Sequence, residues 1–211
     1  MSNFLYHGSY TKGLTQLRPF SKSHNTIKKS VVYLTPNSTY ALLYIWNRPY
    51  KWVTFDVDDD GILVFKEVFE HQLFEFYNGI SGYIYECYAN NPDICKTHIN
   101  CVYNSEKTIP ITGYQTIENV YNEILNREKQ GEIRISRYST LSNEEKQKIS
   151  TDTVRAIHMQ KLLATSDESD VEKQLINFVK DKFPNEWEIA GNQTQEEIEH
   201  MINLWKRSVG I

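Results

Sequence analysis

Over the first 140 residues, apolar positions fall into short runs with a period of two. FLYHGS (4–9), SVVYLTP (30–36), YKWVTFDV (50–57), GILVFKEV (61–68) and SGYIYECYAN (81–90) are rich in β-branched and aromatic residues, and Gly, Pro, Asn and Asp bound them. The pattern predicts strands of an antiparallel or mixed sheet. Two short helices interrupt them. One has Ala41, Leu42, Ile45 and Trp46 at helical spacing after a Pro36-Asn37-Ser38 start signal, and the other, FEHQLFEFYNG, stops at Gly79. CVYNSEKTIPIT (101–112) returns to strand character. The segment 116–131 then predicts a helix capped by Thr116, with Ile117, Val120, Tyr121, Ile124 and Leu125 on one stripe and Gly131 past its end. GEIRISRY predicts a last strand.

From Ser142 onward the period changes to that of helices. Ser142 and Glu145 form a capping box, as do Thr194 and Glu197. Val171, Leu175, Phe178 and Val179 share one face before Pro184, and Ile198, Met201, Ile202 and Trp205 share another. The polar stretch ATSDESD (164–170) reads as a linker. The expected organisation is an α+β chain with a strand-rich domain over 1–140 and a helical extension over 141–211.

Composition narrows the field. The 211 residues suffice for one substantial core and an appendage, and 40% of them are hydrophobic. No apolar run reaches the roughly 18 to 20 residues of a membrane span, and no basic-then-apolar leader opens the chain. These features predict a cytoplasmic protein without a membrane partner. A net charge of −4 gives no electrostatic reason to expect nucleic acid. Three cysteines, Cys87, Cys95 and Cys101, are odd in number and irregular in spacing, which argues against a disulfide framework.

Two motifs suggest metals, and their contexts argue against both. Asp56-x-Asp58-x-Asp60-Gly61-x5-Glu67 fits a calcium-loop template, with Leu63 at its aliphatic position. That loop needs an incoming helix, which the preceding NRPYKWVTF cannot supply, whereas Asp-Gly between apolar runs is a hairpin signal. Cys95-x2-His98-x2-Cys101, with Cys87 upstream, offers four soft ligands but no Cys-x2-Cys knuckle. No metal is therefore expected. Nucleophile elbows, phosphate loops and dinucleotide-binding glycine fingerprints are missing from the sequence.

A further candidate lies in LYHGS. His7 ends a strand and offers one donor and one acceptor, and Gly8 lacks a Cβ that would keep a ligand from the backbone. Tyr33, in VVYLT, stands before a strand-to-helix turn, where its ring could stack on a flat heterocycle. The pair "YHGS…GL..L.P" and "VVYLT….YAL.Y.W" resembles the start of the ADP-ribosyltransferase fold in its His-Tyr-Glu, diphtheria-toxin-like group, and especially the small rifampin ADP-ribosyltransferases. The likeness spans residues 4–46, and more loosely 80–112. It implies split antiparallel sheets of the ADP-ribosyltransferase type, with NAD as substrate and no metal.

By the same resemblance His7 holds a ribose hydroxyl of NAD, the Gly8 backbone binds the nicotinamide amide, and Tyr33 stacks on its ring. Ser9, Thr35 and Tyr40 neighbour the pocket, the last as a possible second ring. The family's third residue is a glutamate before a late strand. Glu106 in NSEKTIPI fits best, with Asp93 in NNPDI, Glu132 in GEIRISRY and the weaker Glu86 as alternatives. A fixed carboxylate suits the chemistry, because the sugar develops positive charge as nicotinamide leaves. The implied activity is ADP-ribosyl transfer to an acceptor that the sequence does not identify: protein, nucleic acid or small molecule. The alternative is a non-catalytic nucleotide-binding or protein-interaction module of the same fold. The helical extension could contact a protein partner.

Overall fold

The computed structural model describes residues 3–22, 30–50, 52, 54–58, 61–97, 99–163, 170–194, 196–200 and 202–203. In chain order its strands are β1 (Phe4–Ser9), β2 (Gln16–Leu17), β3 (Ser21–Lys22), β4 (Ser30–Leu34), β5 (Phe55–Val57), β6 (Leu63–Lys66), β7 (Gly82–Tyr88), β8 (Cys95–Lys96), β9 (Tyr103–Ser105), β10 (Ile109–Pro110), β11 (Gly113–Ile117) and β12 (Ile133–Ser136). Helices α1 (Ser38–Leu42), α2 (Gln72–Tyr77) and α3 (Val120–Lys129) lie among them. α4 (Asn143–Leu163), α5 (Asp170–Lys182) and α6 (Pro184–Gly191) follow.

The chain divides into two units. The strand-rich unit comprises Met1–Asn47, Phe55–Phe65 and Leu73–Ile135, and the helical unit comprises Arg48–Thr54, Lys66–Gln72 and Ser136–Ile211. Aromatic burial explains why two segments of the first half belong with the helices: Trp52 packs its ring against Phe69, Phe178 and Phe183 at 5.9–6.2 Å, and Tyr50 stacks on Phe178 at 4.5 Å. The strand predicted over 50–57 accordingly shrinks to Phe55–Val57.

In the strand-rich unit, β7 is flanked by β1 and β11, both antiparallel to it. A second sheet has the order β3-β4-β9-β8, a third β12-β6-β5, and β10 pairs with β2. The architecture is thus α+β with several antiparallel sheets. Leu5, Leu17, Val32, Leu34, Tyr85, Cys87 and Ile109 form one buried cluster. Burial pushes the Cys87 thiol up to about 12, with the Glu86 charge adding to the effect, so Cys87 is inert core material. Elsewhere Trp46 meets Phe76 and Tyr77 edge-on, and the Tyr77 hydroxyl donates to the Leu43 carbonyl at 2.9 Å.

Local signals account for most boundaries. Asn37 caps α1, its side chain accepting from the Thr39 and Tyr40 amides at 2.9 and 3.1 Å. Both predicted capping boxes form reciprocally: the Ser142 amide donates to Glu145 Oε2 at 2.8 Å, and the Thr194 amide to Glu197 Oε2 at 2.8 Å. One cap moves. Thr116 and Ile117 pair with Tyr83 and Gly82 of β7, so the predicted helix start is strand, and Asn119 caps α3 instead. Pro184 opens α6, which the sequence did not suggest, because proline is pre-organised for a first helical turn. The linker residues 164–169 lie outside the described residues. Among the described residues no helix is long and apolar enough to cross a membrane.

The candidate metal motifs take other roles. β5 and β6 form an antiparallel hairpin, Val57 opposite Leu63, and the Asp58 carboxylate accepts from the Ile62 amide and pairs with Arg134. Glu67 is buried and accepts the Tyr138 amide at 3.1 Å. Asp59, Asp60 and His98 lie outside the described residues, and among the described residues no three His, Cys, Asp or Glu side chains gather as a metal site.

Candidate functional site: an opened rung between two strands

Strand β1 faces β7 on one side and β4 on the other. Tyr6 exchanges both backbone hydrogen bonds with Thr35, at 2.7 and 3.0 Å. Backbone groups alternate along a strand, so Gly8, two residues on, also turns its N–H and C=O away from β7. In the same antiparallel register its partner would be Tyr33. That rung is not made: the Tyr6–Thr35 bridge stands alone, and Val31 beyond it pairs instead with Ser21 of β3. A one-rung opening results, with β1 leaving on one side and β3 joining on the other.

His7 spans the opening. Its Nδ1 lies 2.8 Å from the Tyr33 carbonyl oxygen. A carbonyl only accepts, so this contact assigns the ring proton to Nδ1 and makes Nε2 the basic nitrogen. The two residues that the sequence singled out, 26 apart, therefore meet directly.

Three tyrosines and a phenylalanine wall this region. Tyr40 and Tyr44 stack at 5.6 Å, and Phe55 meets both edge-on at 5.0 and 5.9 Å. Burial pushes the Tyr44 phenol far above its usual range, and the neighbouring Tyr40 and Tyr33 hydroxyls add to the effect. Burial likewise raises Tyr40, although its hydrogen bond with Tyr44 works the other way. Tyr44 nevertheless keeps 44% of its surface exposed. The Tyr40, Tyr44 and Phe55 rings thus form one aromatic cluster that solvent reaches at Tyr44. The sequence offered Tyr40 as a second ring; Tyr44, its neighbour one turn on, was missed, although the i, i+4 spacing was there to find it.

Gly8 serves a purpose other than the one expected. A Cβ built there would lie 1.9 Å from the Ala41 carbonyl oxygen and 3.2 Å from Ile45 Cγ1. The vacant volume is filled by α1, so the glycine lets that helix sit on β1 rather than admitting a ligand from that side. Its own N–H and C=O still point at the opening. Ser9 accepts from the Thr11 amide at 3.1 Å, and the buried Thr35 hydroxyl from the Asn37 amide at 3.2 Å, so both shape turns beside the opening.

The candidate acids disperse. Glu132 accepts from Thr39 Oγ1 at 2.5 Å and pairs with Arg127 at 2.8 Å. Burial opposes its ionisation, but the Thr39 hydroxyl and the Arg127 guanidinium outweigh it and hold the carboxyl below its ordinary value. Arg127 also bonds Glu123, Ser38 and Thr39, so Glu132 belongs to a knot fixing α1 to α3. Asp93 pairs with Lys107 at 2.7 Å. Glu86 sits in β7 across from Tyr6 and Gly113. Glu106 is exposed and directly follows β9.

Directly opposite Tyr33 stands Asn104, its Cα partner on β9. Cross-strand partners share a face of the sheet, so the Asn104 carboxamide stands beside the Tyr33 ring. No local pattern points to it, because the β4–β9 register is long-range. No family model, curated protein or solved structure matches the chain.

Proposed function

We propose that the chain binds NAD at the opened rung and transfers its ADP-ribosyl group to an acceptor. The observation that carries this reading is the unmade Gly8–Tyr33 rung, capped by His7 and walled by Tyr33, Tyr40 and Tyr44. A primary carboxamide needs one acceptor for its N–H and one donor for its oxygen. The Gly8 carbonyl and amide offer that pair in one plane. The tyrosine rings suit a flat pyridinium, which cation–π attraction favours. His7, fixed by its contact with the Tyr33 carbonyl, is the residue assigned to a ribose hydroxyl.

Transfer breaks the bond between the anomeric carbon and the nicotinamide nitrogen. The bonding pair leaves with nicotinamide, and the acceptor's nucleophile supplies the new bond at the anomeric carbon while losing a proton. Positive charge grows on the sugar meanwhile, and Glu106 is the carboxylate assigned to stabilise it. The test is nicotinamide release from NAD by the purified chain. His7→Ala and Glu106→Gln are each expected to lower the rate about 100-fold or more. No release and no NAD binding by calorimetry would sink the proposal. A binding-only module is the second reading, favoured by the neutral Asn104 opposite Tyr33 and by the engagement of Asp93 and Glu132 with cations. It predicts NAD binding without nicotinamide release.

A further inference from the structure

Strand β11 ends the β1-β7-β11 sheet, and the direction of its backbone hydrogen bonds fixes what its outer side offers. Tyr6 turns its N–H and C=O to Thr35, away from β7, so β1 bonds β7 through Leu5, His7 and Ser9 and engages Cys87, Tyr85 and Tyr83. The alternate β7 residues, Glu86, Ile84 and Gly82, therefore bond Gly113, Gln115 and Ile117 of β11. That leaves the N–H and C=O of Tyr114 and Thr116 pointing outward, and among the described residues no strand pairs with them. Tyr114, Gln115 and Thr116 are all exposed, so both faces are open there as well as the edge. Edges are commonly defended by charge or proline, and GYQTI has neither. Tyr114 instead keeps 63% of its surface open, in a cluster with Tyr83 and Tyr85 at 5.8 and 6.0 Å.

We propose that β11 is a self-association edge, which pairs antiparallel with β11 of a second copy and joins two three-stranded sheets about a two-fold axis at Gln115. The register follows from the outward groups. With the axis at Gln115, each Tyr114 lies opposite the other copy's Thr116, and four bonds use every outward N–H and C=O of both strands. An axis at Tyr114 would call on Thr112, whose N–H already goes to the Glu86 carbonyl, and one at Thr116 would call on Glu118, beyond the strand's end. The two Gln115 side chains then face each other with Cα atoms about 4.5 Å apart, and a carboxamide complements itself as donor and acceptor. No like charges meet along the paired strands. A second copy is the occupant because this contact is isologous and complete in itself, with no charge or pocket along GYQTI that would select another sequence. The proposal is independent of what the opened rung binds.

Sedimentation equilibrium of the full chain tests it. The interface is small, so the expected Kd is roughly 10–100 µM, with the mass levelling at two copies. Thr116→Pro removes an N–H that β7 does not use, a change that edge strands tolerate, and should weaken association about tenfold or more. Gln115→Lys sets like charges across the axis and should also weaken it, less so at high salt. Tyr88→Ala removes another exposed ring from the same sheet and should leave association unchanged. A parent chain that stays monomeric at about 500 µM overturns the proposal and leaves the edge to a strand of another protein. A mass that climbs past two copies overturns it in favour of open-ended stacking. So does a Kd that Thr116→Pro and Gln115→Lys both leave unaltered in proteins melting like the parent. The parent measurement needs no variant to fold.

Discussion

Replacing Gly8 by alanine separates a packing role for this residue from a ligand-access role. The new methyl carbon would lie 1.9 Å from the Ala41 carbonyl oxygen and 2.9 Å from its carbon, where ordinary contact begins at 3.4 Å. Relief requires α1 to withdraw from β1 by about 1.5 Å, since the obstacle is backbone and cannot rotate away. Overpacking of this kind costs about 1–3 kcal/mol. The retreat also loosens Leu42 and Ile45, both fully buried, so the upper end, about 3 kcal/mol, is expected. For a chain of this size that is a fall in melting temperature of roughly 6–12 °C by differential scanning calorimetry. Gly191→Ala serves as the control, because a Cβ there meets nothing within 4 Å; its melting temperature should match or slightly exceed the parent's. A Gly8→Ala protein melting within about 2 °C of the parent would refute the packing argument.

Two further perturbations concern the knot between α1 and α3. Arg127→Met leaves Glu123 and Glu132 without their shared cation; because Glu132 is 43% exposed, the loss should fall below that of a fully buried pair, at about 2 kcal/mol by urea denaturation. Glu132 also makes stability depend on pH. Its carboxyl is held below the ordinary range in the folded chain, so its contribution is present above an unfolded value near pH 4.3 and is lost as pH falls through the lower folded value. Glu132→Gln should flatten the part of the acid-side stability profile below about pH 5 that this group supplies, and an unchanged profile would contradict the assignment.

Local patterns foretold most elements because short-range chemistry sets them. The Ser142–Glu145 and Thr194–Glu197 boxes need only residues three apart, and the β5–β6 hairpin needs only Asp58 and Gly61 at its turn. Thr116 failed as a cap because β7, some 30 residues earlier, claims it for a ladder that outweighs its local preference. Residue types and neighbours singled out His7 and Tyr33, and the structure brings the two into contact. The placement of Asn104 opposite Tyr33 was not legible, because the β4–β9 register is long-range. Glu132 looked like an available acid until Arg127, on the preceding helix, was seen to hold it.

A rung left unmade is also an edge, enclosed within a sheet rather than at its rim. Exposed edges invite other strands to add to them, and chains commonly defend them with charge, proline or a covering element. Here the defence comes from the His7 ring on the Tyr33 carbonyl and from α1 lying over Gly8. On the proposed reading, the chain guards against mispairing with the same residues, His7 and Gly8, that would hold the ligand. Substitutions that let Gly8 and Tyr33 bond to each other would zip the strands shut and erase the opening, leaving a better sheet with nothing to bind.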